Sequence, residues 1–340
     1  MSTTFASALL THYDVHSRDL PWRGTQNAYA IWLSEIMLQQ TTVATVKDYY
    51  TRFLHAYPTV FDLAGATEQE VLTLWQGLGY YSRARNLHAC AKKVAHELGG
   101  HFPATPEALQ QLPGIGPYTA AAIAAIAFGY PATVVDGNVE RVISRLYRIE
   151  EPLPKAKPRI RTLAAALTPQ QRAGDYAGAI MDLGATICTP RKPACTTCPV
   201  ASFCASGGKA DAVNFPRKMP KKEKPFKTGT AWCLWDAEGR LYLRQRPPQG
   251  LLASLWEVPT HGWEVAPLDP VIDPLLEADW QDCGTIKHVF THFTLTLTVK
   301  RLKLAEEHVD WVAPRQLKTH PLPTLMRKVL DAAATEGSLV

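Results

Sequence analysis

The chain lacks any uninterrupted apolar run of the roughly twenty residues that a helix needs to cross a bilayer, so no membrane span is expected. Met1 to Tyr13 lack a basic start followed by an apolar core, so no secretory leader is read there. Charge of one sign is not in large excess. The net value is +5 over 340 residues, which suits contact with nucleic acid without demanding it. Cysteine is scarce: there are seven, and 323 of the residues hold only three of them. What is present in quantity is apolar residue, at 46%, the proportion of a globular protein with a full core. The length suits two domains, or one large domain with an appendage.

The other four cysteines fall within 17 residues: Cys188, Cys195, Cys198 and Cys204, in the pattern C-x6-C-x2-C-x5-C. Four thiolates this close can satisfy one tetrahedral zinc or one cubane [4Fe-4S] cluster. Zinc sites usually pair a C-x2-C with a second close pair after a long gap. Here there is a single C-x2-C, and its asymmetric flanks suit a cluster reached from a compact loop. Such a cluster implies a reducing compartment. The location expected from this is a reducing one such as the cytoplasm, and not the secreted space. Arg191 and Lys192 sit between the first two cysteines. They read as a solvated loop or as cations presented to phosphate.

Helical periodicity fills the first 200 residues, at 29–39, 43–57, 68–76, 83–98, 117–128 and 139–147, each with a turn signal after it. The texture then changes. Lys209 to Lys227 holds seven basic and two acidic residues with three prolines, and reads as a linker. Beyond it the pattern alternates. Ala231 to Trp235, the turn 236–239 and Leu241 with Leu243 form a hairpin. Phe293, Leu295, Leu297 and Val299 alternate with threonines as a half-buried strand, and a helix over about 322–334 closes the chain.

Two motifs carry chemistry. Leu112-Pro113-Gly114-Ile115-Gly116-Pro117-Tyr118-Thr119 joins two helices. Gly114 and Gly116 permit a tight turn with close backbone approach, Pro117 suits the first helical position, and the exposed N–H groups favour an anion. Val134-Val135-Asp136-Gly137-Asn138 follows about twenty residues later. Taken alone, Asp136 reads as a helix N-cap. A helix-hairpin-helix, a Gly/Pro stretch and then Asp resembles the superfamily of helix-hairpin-helix DNA glycosylases. Its iron–sulfur branch has this cysteine spacing. Within it, Trp32-Leu33-Ser34-Glu35-Ile36-Met37-Leu38-Gln39-Gln40-Thr41 and Gly77-Leu78-Gly79-Tyr80-Tyr81-Ser82-Arg83-Ala84-Arg85-Asn86 resemble the adenine DNA glycosylases (MutY family).

That resemblance implies a base excision repair enzyme that removes adenine mispaired with 8-oxoguanine or guanine in double-stranded DNA. It would work as a monomer away from membranes. Glu35 shares a helical stripe with Ile31, Trp32 and Leu38, and a carboxyl there is expected to hold its proton to higher pH. In the family pattern Glu35 is the acid and Asp136 the stabilising carboxylate, with Asn138 and Tyr118 in support. Gln40 and Tyr80 match residues that insert into the duplex, and Trp22 and Arg23 line the base pocket. Tyr118 stands where the related endonuclease III branch has a lysine, which implies hydrolysis without strand cleavage.

The implied architecture is an all-α glycosylase domain over residues 1–206 with the cluster loop at 188–204, a basic linker over 207–227, and an α+β Nudix-like lesion-recognition domain over 228–340. The last lacks the Nudix catalytic helix after Trp256-Glu257-Val258-Pro259, so it should bind without hydrolysing. Its recognition loop reads Phe290-Thr291-His292, where the family has Ser in the middle. Two other readings remain open on the residues: a lyase acting on oxidised pyrimidines, and a cluster-bearing DNA-binding or electron-transfer protein without catalysis.

Overall fold

The structure, a computed structural model, describes residues 3–220, 223–304 and 311–334. The chain divides into two compact units, one of residues 1–65 with 86–221, the other of 66–85 with 222–340.

The first unit is helical. Its elements are α1 (Phe5–His16), α2 (Ala28–Leu38), α3 (Val43–Ala56) and α4 (Val60–Gly65); then, after α5 (Glu68–Trp75) of the second unit, α6 (Ser82–Glu97), whose first turn belongs to the second unit, α7 (Pro106–Leu109), α8 (Pro117–Phe128), α9 (Gly137–Leu146), α10 (Lys157–Leu167) and α11 (Ala173–Asp182). Side-chain caps start several of them. Asn27 accepts from the Tyr29 and Ala30 N–H groups at α2, and Thr42 from Thr45 at α3; each such cap contributes about 1 kcal/mol. The ranges read from the sequence do not include α1, α4, α7, α10 or α11. Of these, α10 and α11 begin without a side-chain cap, so the usual start signal is missing.

α2 is buried on every side: all residues from Tyr29 to Met37 are inside. Glu35 is therefore buried because its whole helix is, and not through a single apolar stripe. α2 and α11 both pack on α8, which is rich in alanine and allows close approach. Gly114 has φ +75°, and a Cβ there would lie 2.7 Å from the Asn86 Cβ, so the hairpin needs glycine at that position.

The basic segment 209–220 is not all solvated. Ala212 and Phe215 are buried in the first unit, and the Leu153 N–H donates to the Arg217 carbonyl at 2.8 Å.

The second unit is built on a mixed sheet. β1 (Phe226–Trp235) runs parallel to β7 (Thr294–Lys303) over ten residues, and β7 pairs antiparallel with β6 (Gln281–Val289). On its other edge β1 meets β5 (Thr260–His261) and then β2 (Leu241–Tyr242), which pairs with β8 (Trp311–Val312). A short ribbon joins β3 (Arg244–Gln245) to β4 (Trp256–Glu257). Leu295, Leu297 and Val299 face inward, as the alternation predicts, under the closing helix α12 (Thr324–Ala333). From Gly262 to Trp280 the only helical turn is the 3-10 turn Asp273–Leu275. No described helix is long and apolar enough to cross a membrane.

Candidate active site

α2, the hairpin before α8, and the N-terminus of α9 place Glu35, Tyr118, Asp136 and Asn138 on one cavity of about 740 Å³ in the first unit. Trp22, Arg23 and Gln40 line the same cavity, so the sequence-derived catalytic and base-pocket residues converge. Glu35 is 5% exposed, and its Oε2 has no hydrogen-bond partner. Burial pushes its carboxyl up to about 7; a hydrogen bond from Tyr118 and the Arg23 charge oppose this, and the nearby Asp136 adds to it.

Asp136 is placed differently. It caps α9, accepting from the Val139 N–H at 2.7 Å, and its second oxygen accepts from Asn138 Nδ2 at 2.9 Å. Burial raises its pKa, and these donors act against burial by favouring the carboxylate. The Tyr118 hydroxyl also faces the Met181 sulfur at 3.5 Å, and burial holds the phenol well above its ordinary range.

Several residues that fix this arrangement carry no signal in the sequence. Asp182, buried, accepts from Arg18 Nε at 2.7 Å and Arg23 Nη2 at 3.0 Å. Arg141 donates from Nη2 to Asn138 Oδ1 at 2.8 Å and from Nε to the Cys188 carbonyl at 2.8 Å. Gly184 approaches Asn138 so closely that a Cβ would fall 2.7 Å from the Asn138 Cβ. Apart from the Arg141–Asn138 bond within α9, these contacts join distant segments, and no local pattern announces them. Arg145 is the exception: it follows Val142 by three residues in a helix whose inner face is otherwise mostly apolar.

The four cysteines line one small cavity with Ile187, Ala194 and Ala201. None forms a disulfide. Arg145, 2% exposed, donates to Cys188 Sγ at 3.3 Å and to the carbonyls of Thr189 and Pro190 at 2.7 and 2.9 Å. Without iron, burial drives the Cys198 thiol up to about 11. A set of thiolates here would need cationic compensation, part of which the buried Arg145 guanidinium supplies. Among the described residues no three Cys, His, Asp or Glu side chains close around a single metal ion. The four thiols nonetheless line one shared cavity, a donor set whose chemistry suits an iron–sulfur cluster. Arg191 and Lys192 are exposed on this loop.

In the second unit, Phe290, Thr291 and His292 form the turn between β6 and β7. Phe290 stacks on Phe293 at 4.6 Å between ring centres, while Thr291 and His292 are exposed. The turn lines a cavity of about 480 Å³ together with Tyr80, which the chain contributes from its N-terminal half. The Tyr80 hydroxyl lies 3.3 Å from Thr291 Oγ1. Tyr80 and Gln40, the two residues matched to duplex insertion, both have left-handed backbones, with φ of 48° and 57°. The sequence also missed a buried ionic cluster in this unit. Glu257, 1% exposed, accepts from Arg244 Nε at 3.0 Å and Arg246 Nη1 at 2.6 Å; Arg246 also reaches Glu264 at 2.5 Å and Arg244 reaches Asp269 at 3.0 Å.

Residues 33–169 match the HhH-GPD superfamily of base excision DNA repair proteins, 188–204 the iron–sulfur binding domain of endonuclease III, and 230–332 the NUDIX domain. The adenine DNA glycosylase of Homo sapiens is 39% identical over 96% of this chain and 73% of its own length. That of Buchnera aphidicola subsp. Schizaphis graminum is 31% identical over 96% and 98%. A thermostable thymine-DNA glycosylase superposes with a TM-score of 0.55 at 35% identity, over 59% of this chain and 94% of that one. A non-covalent endonuclease III–DNA complex, at 0.51 and 23% over 59% and 92%, shares the fold of the same part. Similarity that runs through nearly the whole of this chain and of the second relative, across all three matched segments, means that the chain belongs to the adenine DNA glycosylase family, within the HhH-GPD base excision repair superfamily.

Proposed function

We propose that this adenine DNA glycosylase excises adenine opposite 8-oxoguanine, and opposite guanine, as a monofunctional enzyme acting as a monomer, and leaves an abasic site. The observation that carries the reading is the unequal treatment of two carboxyl groups in one cavity. Glu35 is buried with an unpartnered oxygen, which favours the protonated acid; Asp136 is given N–H donors, which favour the carboxylate.

Adenine is a poor leaving group until it is protonated. Glu35 donates its proton to N7 as the C1′–N9 bond breaks and the bonding pair leaves with the base. Positive charge then develops on the sugar, and Asp136 stabilises it, by electrostatics or transient covalent capture, while Asn138 holds the Asp136 carboxylate. Water adds at C1′ and returns its proton to Glu35. A base inside a duplex cannot reach this cavity, so the nucleotide must be extruded, at a cost of a few kcal/mol. Gln40 and Tyr80 are assigned to that step. Gly116 caps α8 with open space around its Cα, which suits approach of a DNA phosphate to the hairpin.

The four cysteines fit a [4Fe-4S] cluster, which when bound supplies a rigid cross-link of the loop that presents Arg191 and Lys192 to phosphate. For the opposite strand, support comes from the exposed Thr291 hydroxyl at an aromatic-walled cavity. 8-Oxoguanine differs from guanine by a hydrogen on N7 and an oxygen on C8, an edge that a hydroxyl can read.

One observation favours a lyase as the second reading: Lys157 lines the catalytic cavity. Its ammonium is paired with Glu140 at 2.9 Å, and Tyr118 occupies the hairpin position. Single-turnover assays on duplexes with A opposite 8-oxoguanine, A opposite guanine and an oxidised pyrimidine, each read with and without alkali, test the proposal. Alkali-dependent cleavage of the adenine strand supports it. Alkali-independent cleavage with borohydride-trapped enzyme, or preference for the pyrimidine substrate, overturns it.

A further inference from the structure

Arg23 is held more tightly than a base-pocket cation needs to be. Its Nη1 donates to the Tyr13 hydroxyl at 2.6 Å and its Nη2 to Asp182 Oδ1 at 3.0 Å. Gly178 stands one turn before Asp182 on α11. Its backbone is helical with no positive φ, so nothing in the chain's conformation requires glycine. An interior helical glycine costs up to about 1 kcal/mol against alanine. What it supplies is space: a Cβ would lie 2.0 Å from Arg23 Nη1 and 2.6 Å from the Tyr13 hydroxyl oxygen. The atom that must yield is the end of the Arg23 side chain, so a methyl there moves this guanidinium before it moves the fold. α1, through Tyr13, and α11, through Gly178 and Asp182, thus fix one cation on the wall of the cavity that holds Glu35.

We propose that Tyr13 and Gly178 are positioning residues for adenine excision: they hold the Arg23 guanidinium toward Glu35 and thereby set the pH range over which Glu35 serves as proton donor. This rests on the reading of Glu35 as the acid. The charged and titratable groups on the same cavity are Arg18 and Arg23 ahead of α2, Tyr118 on α8, Asp136 on α9 and Lys157 on α10, with Asp182 of α11 behind the two arginines. Of these, Tyr118 and Arg23 draw Glu35 toward its charged form and Asp136 draws it back. Displacing Arg23 removes one of the two groups that favour the carboxylate, so Glu35 keeps its proton to higher pH.

The test is the single-turnover rate of full-length, cluster-loaded Tyr13→Phe and Gly178→Ala on a duplex with A opposite 8-oxoguanine, at saturating enzyme, across pH. The alkaline limb of the profile is expected to move upward by about one pH unit in Gly178→Ala, and upward by less in Tyr13→Phe, which keeps the ring and loses only the hydroxyl. If Gly178→Ala does not fold, Tyr13→Phe decides. A limb that stays in place or moves down, whatever happens to the maximal rate, overturns the proposal. Glu35→Gln separates the two layers. If it retains the parental rate and limb, the acid reading itself has failed. If it is inactive while the limb is unmoved in both other variants, only the positioning role falls.

Discussion

The two units bury carboxylates in opposite ways. In the helical unit Glu35 is inside with an unpartnered oxygen, and burial lifts its pKa to about 7. In the sheet unit Glu257 is inside with an arginine on each oxygen. A buried charge is tolerated when paired, and a buried acid left unpaired takes up a proton instead. The first arrangement suits a transferable proton; the second ties each oxygen to a guanidinium group. The surfaces divide the same way. The residues proposed for catalysis line a cavity, whereas Thr291 and His292 stand exposed on a turn. Bond cleavage needs exclusion of water and fixed donors, while reading a base edge needs only reach and a rigid backing such as the Phe290–Phe293 stack.

The sharpest break of this comparison is Glu35→Gln. Its single-turnover excision should fall by about a thousandfold or more while duplex binding persists, because an amide donates no proton of this kind. The parent's rate should fall as pH rises through about 7, where Glu35 loses its proton. Stability should fall over the same rise in pH. A carboxyl whose pKa is raised on folding favours the native state most below its unfolded value of 4.5, and that contribution is lost as pH climbs to about 7. The residual penalty above that is on the order of 3 kcal/mol. Thermal melts at pH 8 should therefore show Glu35→Gln more stable than the parent, and melts near pH 4 should not.

Glu257→Gln should do the reverse. It leaves Arg246, whose side chain is 9% exposed, with one carboxylate fewer, and should destabilise the sheet unit by about 3 kcal/mol in chemical denaturation. The excision rate at saturating enzyme below the melting range should hold. If both variants lose activity equally, the division of labour between the units is wrong. Cys198→Ala should lower the iron content and the near-400 nm absorption and weaken duplex affinity roughly tenfold, as the loop bearing Arg191 and Lys192 loosens. Full iron with unchanged affinity would remove Cys198 from the ligand set.

The smallest effect belongs to the recognition turn. Thr291→Ala should lower the preference for A opposite 8-oxoguanine over A opposite guanine by about 1–2 kcal/mol, and Thr291→Ser should leave it within a few tenths. Equal preference in all three proteins would show that the hydroxyl does not read the lesion.

Much of the site was legible because its parts are local. The hairpin from Leu112 to Thr119, the Asp136 cap and the cysteine run are contiguous motifs, and each folds as its residue types dictate. α8 begins at Pro117 and ends at Phe128 as its pattern indicates, since Pro opens it and Gly129, at φ 67°, closes it. Elsewhere the local signals were weak. α11 starts at Arg172 in a left-handed conformation with no cap, so neither the helix nor Asp182 and Gly178 on it stood out. The basic stretch from Lys209 carries few apolar residues, yet two of them, Ala212 and Phe215, are enough to seat it.

The sequence, through its motifs and the family they resemble, determined which groups are proposed for the chemistry: two carboxyls, a tyrosine where the related branch has a lysine, four thiols and a hydroxyl on a turn. Those are covalent facts, and short-range geometry carries them. Tertiary structure decided what state each group is in. Burial of nine consecutive residues of α2, and not its neighbours in sequence, pushes the Glu35 carboxyl up. Asp136 is tied to the cysteine loop through Asn138 and Arg141, and Tyr80 shares a cavity with a turn more than two hundred residues away. Burial and long-range hydrogen bonds set pKa and orientation, and both depend on which segments meet, which no single stretch of the chain encodes.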